Sequence, residues 1–521
     1  MLMRQAIRTV KSKEITLPAP IMGLNKKDPI SAMAPLFAIE MDNYIPLDGK
    51  VELRPGYSLF AALETSGAPV KSMAAFKYPQ HDKLFAFCDG KMWDVTHADS
   101  PEDMNISLST TYCQTIQYKN YLYVVNGFDT PKVFYVDSNG DEHIGNWGFS
   151  NENLQDSRII NGAVSKEFLW FVEKGTLKAY YAASAGDVSG TLKSFDLAQV
   201  CKCGGELIAV ANWTMDGGIG IDDLTVFITS EGEVFVYSGY NPNDATNWML
   251  KGSYKLPKPV GYRCVLVYQG DLIIICEDGY FPLSKALISA NSDDSSMAFS
   301  DNIRGLMIER ASCYRDKEGW QGIIYTKKGY GIFNVPVAEQ FEQHVINVST
   351  GAWCRFTNIR AFCWCMFNDA IYFGSDSAVY RFDDGLDDNG VAIEGVVEQA
   401  FNDFGTPSLK RFSLLSPRTS SSSPYYLSVY MNTDYHKRYV SYAMTVGFSS
   451  GVKWNSKLWS SSSNPIGTRW DISQTSKINA QWIMNSSVGV KASVVFKTKT
   501  QGVLIDWYDT GIRYELGTGI V

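Results

Sequence analysis

One unit recurs along most of this chain and limits what it can fold into. The unit is a short apolar strand, a tight turn containing Gly or Asp, and a second strand with aromatics at alternate positions. It occurs as FAFCDGKMWDV from Phe85, YVVNGFDTPKVFYV from Tyr123, WFVEKGTLKAYYA from Trp170 and FITSEGEVFVYSG from Phe227, then as IIICEDGYFPLS from Ile273, IIYTKKGYGIFNV from Ile323 and IYFGSDSAVYRFD from Ile371. Successive starts are 38, 47, 57, 46, 50 and 48 residues apart, a mean of about 48, which is the length of one four-stranded propeller blade. The turns CDGK, SEGE and CEDG put Gly where a hairpin needs positive φ, and β-branched and aromatic residues flank them. A lone twisted hairpin cannot bury both of its faces, so radial stacking of such units is the natural way to complete each core. Helical spacing is hard to find between residues 60 and 400.

These patterns predict an all-β chain whose residues 61–385 form a β-propeller of six or seven blades. A pair of β-sandwiches is the second choice, because it needs no repeat this regular. Residues 1–60 read as an N-terminal arm and entry segment with Pro and Gly punctuation and one short helical candidate around Ala34 to Tyr44. Residues 386–521 read as a β-rich, sandwich-like C-terminal domain packing with the N-terminal segment. Within it YYLSVYM and VKASVVFKTKT alternate apolar and polar residues, and the serine runs Ser420 to Ser423 and Ser460 to Ser463, each close to a proline, read as exposed loops.

Composition and charge narrow the function. With 45% hydrophobic and 20% charged residues the chain can build a sizeable core, and no apolar run is long enough for a membrane helix. The basic start MLMRQAIRTVKSK lacks an apolar stretch and does not read as a secretory signal. The formal charge of −8 argues against a protein whose main task is to wrap nucleic acid. Its distribution is uneven: residues 1–60 carry +2, residues 61–400 carry −17 and residues 401–521 carry +7. The basic residues Lys410, Arg411, Lys437, Arg438, Lys491, Lys497 and Lys499 of that last part are candidate contacts with an acidic neighbour or with the next subunit.

The search for chemistry is mostly negative. Ten sparse cysteines, several inside apolar stretches, read as buried hydrophobes in a reducing compartment, and strand alternation would put both members of Cys201/Cys203 and of Cys363/Cys365 on one face. Five scattered histidines, His81, His97, His143, His344 and His436, have no metal-ligand spacing and read as surface or loop residues. There is no Gly-x-Ser-x-Gly elbow and no phosphate-cradling Gly-rich loop. The acidic pairs Asp222-Asp223, Asp293-Asp294, Asp383-Asp384 and Asp387-Asp388 could offer oxygen ligands to calcium, but DDGLDDNG lacks the alternate-position spacing of a calcium loop. No catalytic residue, cofactor or metal site is expected.

Several blocks carry a resemblance. PIMGLNKKDP, MDNYIP and VELRPGY near the start, and SGTLKSFDLAQ, GGELIAV, DGGIGIDDLTVFITSEGEVFVYSGYNPNDATNWMLKGSYKL and DLIIICEDGYFPLSKAL in the middle, resemble the nozzle proteins of short-tailed bacteriophages. That family is also described as tail tubular protein B or packaged-DNA stabilisation proteins. VSTGAWCRF, AFNDFGTPSLKRF and WYDTGIRYELGTG extend the resemblance over almost the whole chain, while Met1 to Ile15 and the cysteine-rich stretch around Cys363 depart from it.

The resemblance implies a non-enzymatic β-propeller protein of the virion tail. Such a protein is assembled in the host bacterial cytoplasm into a homohexameric ring beneath the tail adaptor ring, which is tail tubular protein A-like. The ring passes double-stranded DNA during ejection without sequence-specific binding, and tail fibres or spikes attach near it. A glycan-binding or glycan-cleaving tail appendage, or an interaction scaffold outside the virion, is the alternative.

Overall fold

The structure is a computed structural model that describes residues 12–216, 221–288, 298–438, 444–446 and 478–516. Strands dominate these residues, so the chain is all-β. Contacts divide it into two compact units, one comprising residues 59–344 and 358–382, the other residues up to 58, 345–357 and from 383 onward.

In the larger unit, antiparallel sheets follow one another along the chain. The first contains Ser72–Phe76, Lys83–Cys88, Lys91–Asp94 and Glu102–Ser107, and the second Gln114–Tyr118, Tyr121–Val125, Lys132–Val136 and Glu142–Asn146. The third runs Ile159–Ser165, Phe168–Glu173, Lys178–Ala182 and Gly190–Asp196, with Phe149–Ser150 added in parallel to its last strand, and the fourth Leu207–Asp216, Ile221–Thr229, Glu233–Ser238 and Met249–Lys255. The fifth has Val265–Tyr268, Asp271–Cys276 and Gly279–Pro282, and the sixth starts with Gln321–Tyr325 and Tyr330–Val337. The seventh has Cys363–Phe367, Ala370–Ser375 and Ala378–Phe382, and takes its outer strand, Tyr57–Ala62, from the chain ahead of the first sheet.

All seven sequence hairpins hold in register, with Phe85 opposite Asp94, Tyr123 opposite Val133, Trp170 opposite Tyr181 and Phe227 opposite Phe235. Likewise Ile273 faces Pro282, Ile323 faces Ile332 and Ile371 faces Phe382. Their turns have the expected chemistry. Asp89 and Gly90, at φ +50° and +69°, join Cys88 to Lys91 as a two-residue hairpin loop requires. Gly232 sits at φ +83° where a Cβ would lie 2.3 Å from the Leu256 carbonyl oxygen, so only glycine fits that turn.

The core of this unit lies between sheets. Phe85 and Phe87 of the first sheet pack with Leu122, Val124 and Phe134 of the second. Tyr123 and Val125 pack with Leu169 and Phe171 of the third, and Trp170 with Phe227 and Phe235 of the fourth. Trp213 of the fourth sheet donates its indole N–H to Gly270, at the turn of the fifth, at 3.0 Å. Tyr280 stacks on Phe333 of the sixth at 3.9 Å, and Trp364 of the seventh donates to Asn334 at 3.0 Å. Cys363, Cys365 and Phe367 of the seventh then share a cluster with Leu84, Ala86 and Cys88 of the first.

The smaller unit is built on two sheets. One runs Ala352–Phe356, Gly23–Leu24, Phe37–Asp42, Ile393–Gln399, Ala492–Thr500, Tyr425–Thr433 and Met444–Val446 in spatial order. The other runs Ile483–Gly489, Lys410–Ser421, Ile505–Leu516, Lys50–Leu53 and Tyr44–Leu47, with Ser12–Pro18 also paired to Ile505–Leu516. Phe496 of the first sheet stacks on Trp507 of the second at 4.5 Å and meets Tyr44 edge-on at 5.8 Å.

A buried ion pair organises this unit. Arg54, fully buried, donates to both carboxylate oxygens of Asp388 at 2.8 and 2.7 Å, to Asn43 Oδ1 at 2.8 Å and to the Pro55 and Thr357 carbonyls at 3.0 and 3.3 Å. All five guanidinium N–H groups are thereby satisfied. Next to it Gly56 lets the backbone approach Asp387 so closely that a Cβ would lie 1.8 Å from its carbonyl oxygen.

Three sequence expectations are corrected. The helical candidate Ala34 to Tyr44 is the strand Phe37–Asp42 followed by Tyr44–Leu47. Its apolar spacing suits a helix, but the strand is buried on both faces and so shows no alternation. Conversely, Arg304–Tyr314 is a helix of 11 residues in a stretch where no helical period stands out. Ser420 and Ser421 continue the strand Lys410–Ser421 and only Ser422 and Ser423 form the turn; Ser460 to Ser463 lie outside the described residues.

Candidate functional site

The first strands of the seven sheets border one cavity of about 370 Å³. Met73, Gln114, Asn161, Asn212, Arg263 and Gln321 come from or adjoin six of them, and Cys363 begins the seventh. The polar lining is mostly occupied. Asn161 donates to the Ile208 and Tyr262 carbonyls at 3.1 and 3.0 Å, and Gln321 both donates to and accepts from the Trp364 backbone, at 2.8 and 3.1 Å. Asn212 accepts from Ser165 at 2.9 Å.

Arg263 is the charged residue of the lining. Its guanidinium donates to the Lys71 carbonyl at 3.2 Å, to the Ser72 hydroxyl and to the Cys113 carbonyl at 2.8 Å, and it lies 4.3 Å from the centre of the Tyr112 ring. Cys113 and Cys363 also border the cavity, but burial pushes both thiols up to about 12, so neither is a thiolate near neutral pH.

One histidine belongs to a buried hydrogen-bond chain. Tyr280 hydrogen-bonds through its hydroxyl to His344 Nδ1 at 2.9 Å, His344 Nε2 lies 3.1 Å from a Glu342 carboxylate oxygen, and Arg310 Nε donates to Glu342 at 2.7 Å. His344 is therefore no surface residue, and its side chain is only 1% exposed. It closes a hydrogen-bond chain inside the core, where an unpaired Tyr280 hydroxyl would be costly. His97, His143 and His436 are exposed, and His81 is half-buried beside Glu142 at 3.3 Å.

The acidic clusters are used by the fold. In DDGLDDNG, Asp384 accepts from Ser58 at 2.5 Å, Asp387 accepts the Gly390 amide at 2.8 Å and Asp388 holds Arg54. Among the described residues no group of three His, Cys, Asp or Glu side chains is placed to hold a metal ion. Asp293 and Asp294 lie outside the described residues. Cys363 and Cys365 are both buried on their strand, as alternation requires, whereas Cys201 and Cys203 sit in the loop between strands and Cys203 is exposed.

The basic residues of the C-terminal part are dispersed. Lys410 lies inside the fold rather than on it: it is fully buried and donates to the Ser408 and Val490 carbonyls at 3.0 and 2.8 Å, and burial lowers its pKa. Its neighbour Arg411 is exposed. Lys437 faces Glu398 at 3.4 Å, Arg438 donates to Ser487 at 3.1 Å and Lys491 donates to the Ser31 carbonyl at 3.0 Å. Lys497 and Lys499 project from one face of Ala492–Thr500 beside exposed Tyr426, and Lys499 pairs with Glu394. Opposite charges from Glu40, Glu394 and Glu398 thus reduce the basic excess that the sequence count suggests.

No protein-family model matches the chain, and no curated protein sequence matches it.

Proposed function

We propose that the larger unit is a seven-bladed β-propeller, the smaller one a β-sandwich, and the chain a nozzle subunit of a short-tailed bacteriophage. One observation carries the propeller reading. The first strands of seven successive sheets border a single cavity, and Tyr57–Ala62, from ahead of the first sheet, supplies the outer strand of the last. Pairing the chain's early strand with its last sheet is how such a fold ties its ends together. The nozzle reading adds the sequence blocks that resemble that family, from VELRPGY to WYDTGIRYELGTG.

The function follows from assembly and charge rather than from bond chemistry. Six copies in a ring below the tail adaptor would surround the exit path of double-stranded DNA. At −8 per chain such a ring repels the phosphate backbone, so DNA slides through it without stalling. The exposed cations Arg411 and Lys497 and the charge pairs around Lys437 and Lys499 offer polar contacts for a neighbouring subunit, the adaptor or a fibre, where paired charges set register and partner choice. Quantitative peptide mass spectrometry of purified particles tests this reading. Six copies per virion, equal to one tail ring, are expected; a chain absent from particles would overturn it.

A further inference from the structure

We propose that Lys437 and Asn432 join in an intramolecular amide bond, with Glu398 as the catalytic residue and ammonia as the leaving group. The inference rests on two side chains of the smaller unit that meet at one buried carboxylate, and it does not depend on the nozzle reading.

The fold brings these residues together from separate strands. Glu398 is on Ile393–Gln399 and Asn432 on Tyr425–Thr433, and both strands pair with Ala492–Thr500, which lies between them. Glu398 and Tyr430 are both opposite Val495, so Glu398 and Asn432, two residues on from Tyr430, share one face of the sheet. Both are almost completely buried. Asn432 donates its side-chain N–H to Glu398 Oε1 at 2.7 Å, and Lys437 Nζ lies 3.4 Å from Oε2 of the same carboxylate. The turn before Lys437 keeps it there. Asp434 accepts the Val490 and Lys491 amides at 2.9 Å, Tyr435 packs on Phe401 at 4.7 Å, and the His436 amide donates to the Thr433 carbonyl at 2.9 Å.

Each group has the chemistry that amide exchange needs. A lysine amine is a nucleophile once it has lost a proton, and a carboxylate within reach of it is the base. The Lys437 side chain is 63% exposed, so the amine approaches from the solvent side, whereas the amide it attacks is shielded from water, which suppresses hydrolysis. Asn432 Oδ1 accepts the backbone N–H of Arg438 at 2.8 Å, which polarises the carbonyl and stabilises negative charge developing on that oxygen. Gathering both nitrogens at one carboxylate replaces an encounter in solution by a local step. The step balances without an oxidant or cofactor. The Lys437 ammonium gives a proton to Glu398, and Nζ bonds to Asn432 Cγ while the carbonyl electron pair moves to Oδ1. Glu398 passes its proton to Nδ2, and the Cγ–Nδ2 bond breaks as the carbonyl re-forms. The departing ammonia takes the surplus proton from Nζ and leaves as ammonium, so Glu398 ends as a carboxylate. The product ties the end of Tyr425–Thr433 to the chain beyond its turn and replaces the Lys437 charge by a neutral amide.

Mass spectrometry of the full chain, purified and sampled over several days at neutral pH, tests the proposal. A species lighter than the sequence by one ammonia, about 17 Da, is expected, in a proportion independent of protein concentration because the step lies within one chain. Trypsin cuts after Lys437 in the open form but should leave residues 419–438 as one peptide in the closed form, and fragmentation of that peptide should show Asn432 joined to Lys437. Lys437→Arg keeps the positive charge on an exposed side chain, so it should fold as wild type does, keep its ammonia and be cut at that position. Glu398→Gln should slow bond formation about a hundredfold. Because Glu398 is buried, that variant could lose its fold, and Lys437→Arg is the independent check. The proposal is overturned if the wild-type chain keeps its full sequence mass throughout, if Lys437→Arg loses ammonia as fast as wild type, or if folded Glu398→Gln closes the bond at the wild-type rate.

Discussion

Replacing Arg54 by Met keeps the length of the buried stem and removes five hydrogen bonds at once, two of them to Asp388. Asn43 Oδ1 keeps the Thr357 amide as a donor at 2.9 Å, so its loss is partial. The Asp388 carboxylate is only 4% exposed and would be left buried without its cation, which makes it the largest single cost. Removing one partner of a buried pair destabilises by about 3–5 kcal/mol. At 1.4 kcal/mol per factor of ten, that is roughly a 10²- to 4 × 10³-fold loss of protection. A chain of two units does not unfold in one step, so the readout must be local. Hydrogen-exchange mass spectrometry on peptides covering 43–58 and 383–391 supplies it. The double variant Arg54→Met with Asp388→Leu removes the stranded charge and should recover most of the protection, because apolar replacement of a whole buried pair is often close to neutral. Less than tenfold loss in Arg54→Met, or a double variant as exposed as the single, would refute the claim that this pair organises the smaller unit.

Two further outcomes follow from the same structure. Gly232→Val forces a β-branched residue to φ +83° and a Cβ against the Leu256 carbonyl, and should cost at least ~1 kcal/mol by urea unfolding followed through the fourth sheet; an unchanged midpoint would contradict that turn. Burial raises the Asp94 pKa, but hydrogen bonds from Lys83 at 2.8 Å and from the Thr96 hydroxyl and amide outweigh it and hold the carboxyl below its usual range. A depressed folded pKa contributes stability above the unfolded value that is lost as pH falls through the folded one. The first sheet should therefore lose protection below about pH 4, and Asp94→Asn should flatten that acid limb.

How much was legible in the sequence depends on the range of the interaction. The hairpins were legible because a turn is local: Asp89-Gly90 and Gly232 announce positive φ, and the aromatic alternation on either side sets the register. The strand Phe37–Asp42 was misread because a strand covered on both faces loses the period of two and keeps only an apolar run. The helix Arg304–Tyr314 has no side-chain N-cap and three buried residues, so neither a start signal nor an amphipathic stripe marks it. Lys410 counted as a surface cation because a charge tally carries no direction; its side chain turns inward to backbone carbonyls. The pairing of Arg54 with Asp388 joins residues 334 positions apart, and no local pattern contains it. The same holds for the cavity, whose lining takes between one and four residues from each of seven strands and so leaves no motif in any one of them.

The central claim, that this chain is a ring subunit at the end of a short viral tail, is tested most directly by electron microscopy of purified virions labelled with an antibody against it. Label confined to the distal end of the tail is the predicted result. Label on projecting appendages would move the chain to a glycan-binding or glycan-cleaving role, and particles that carry the chain in denatured form yet take no label at the tail tip would contradict the account.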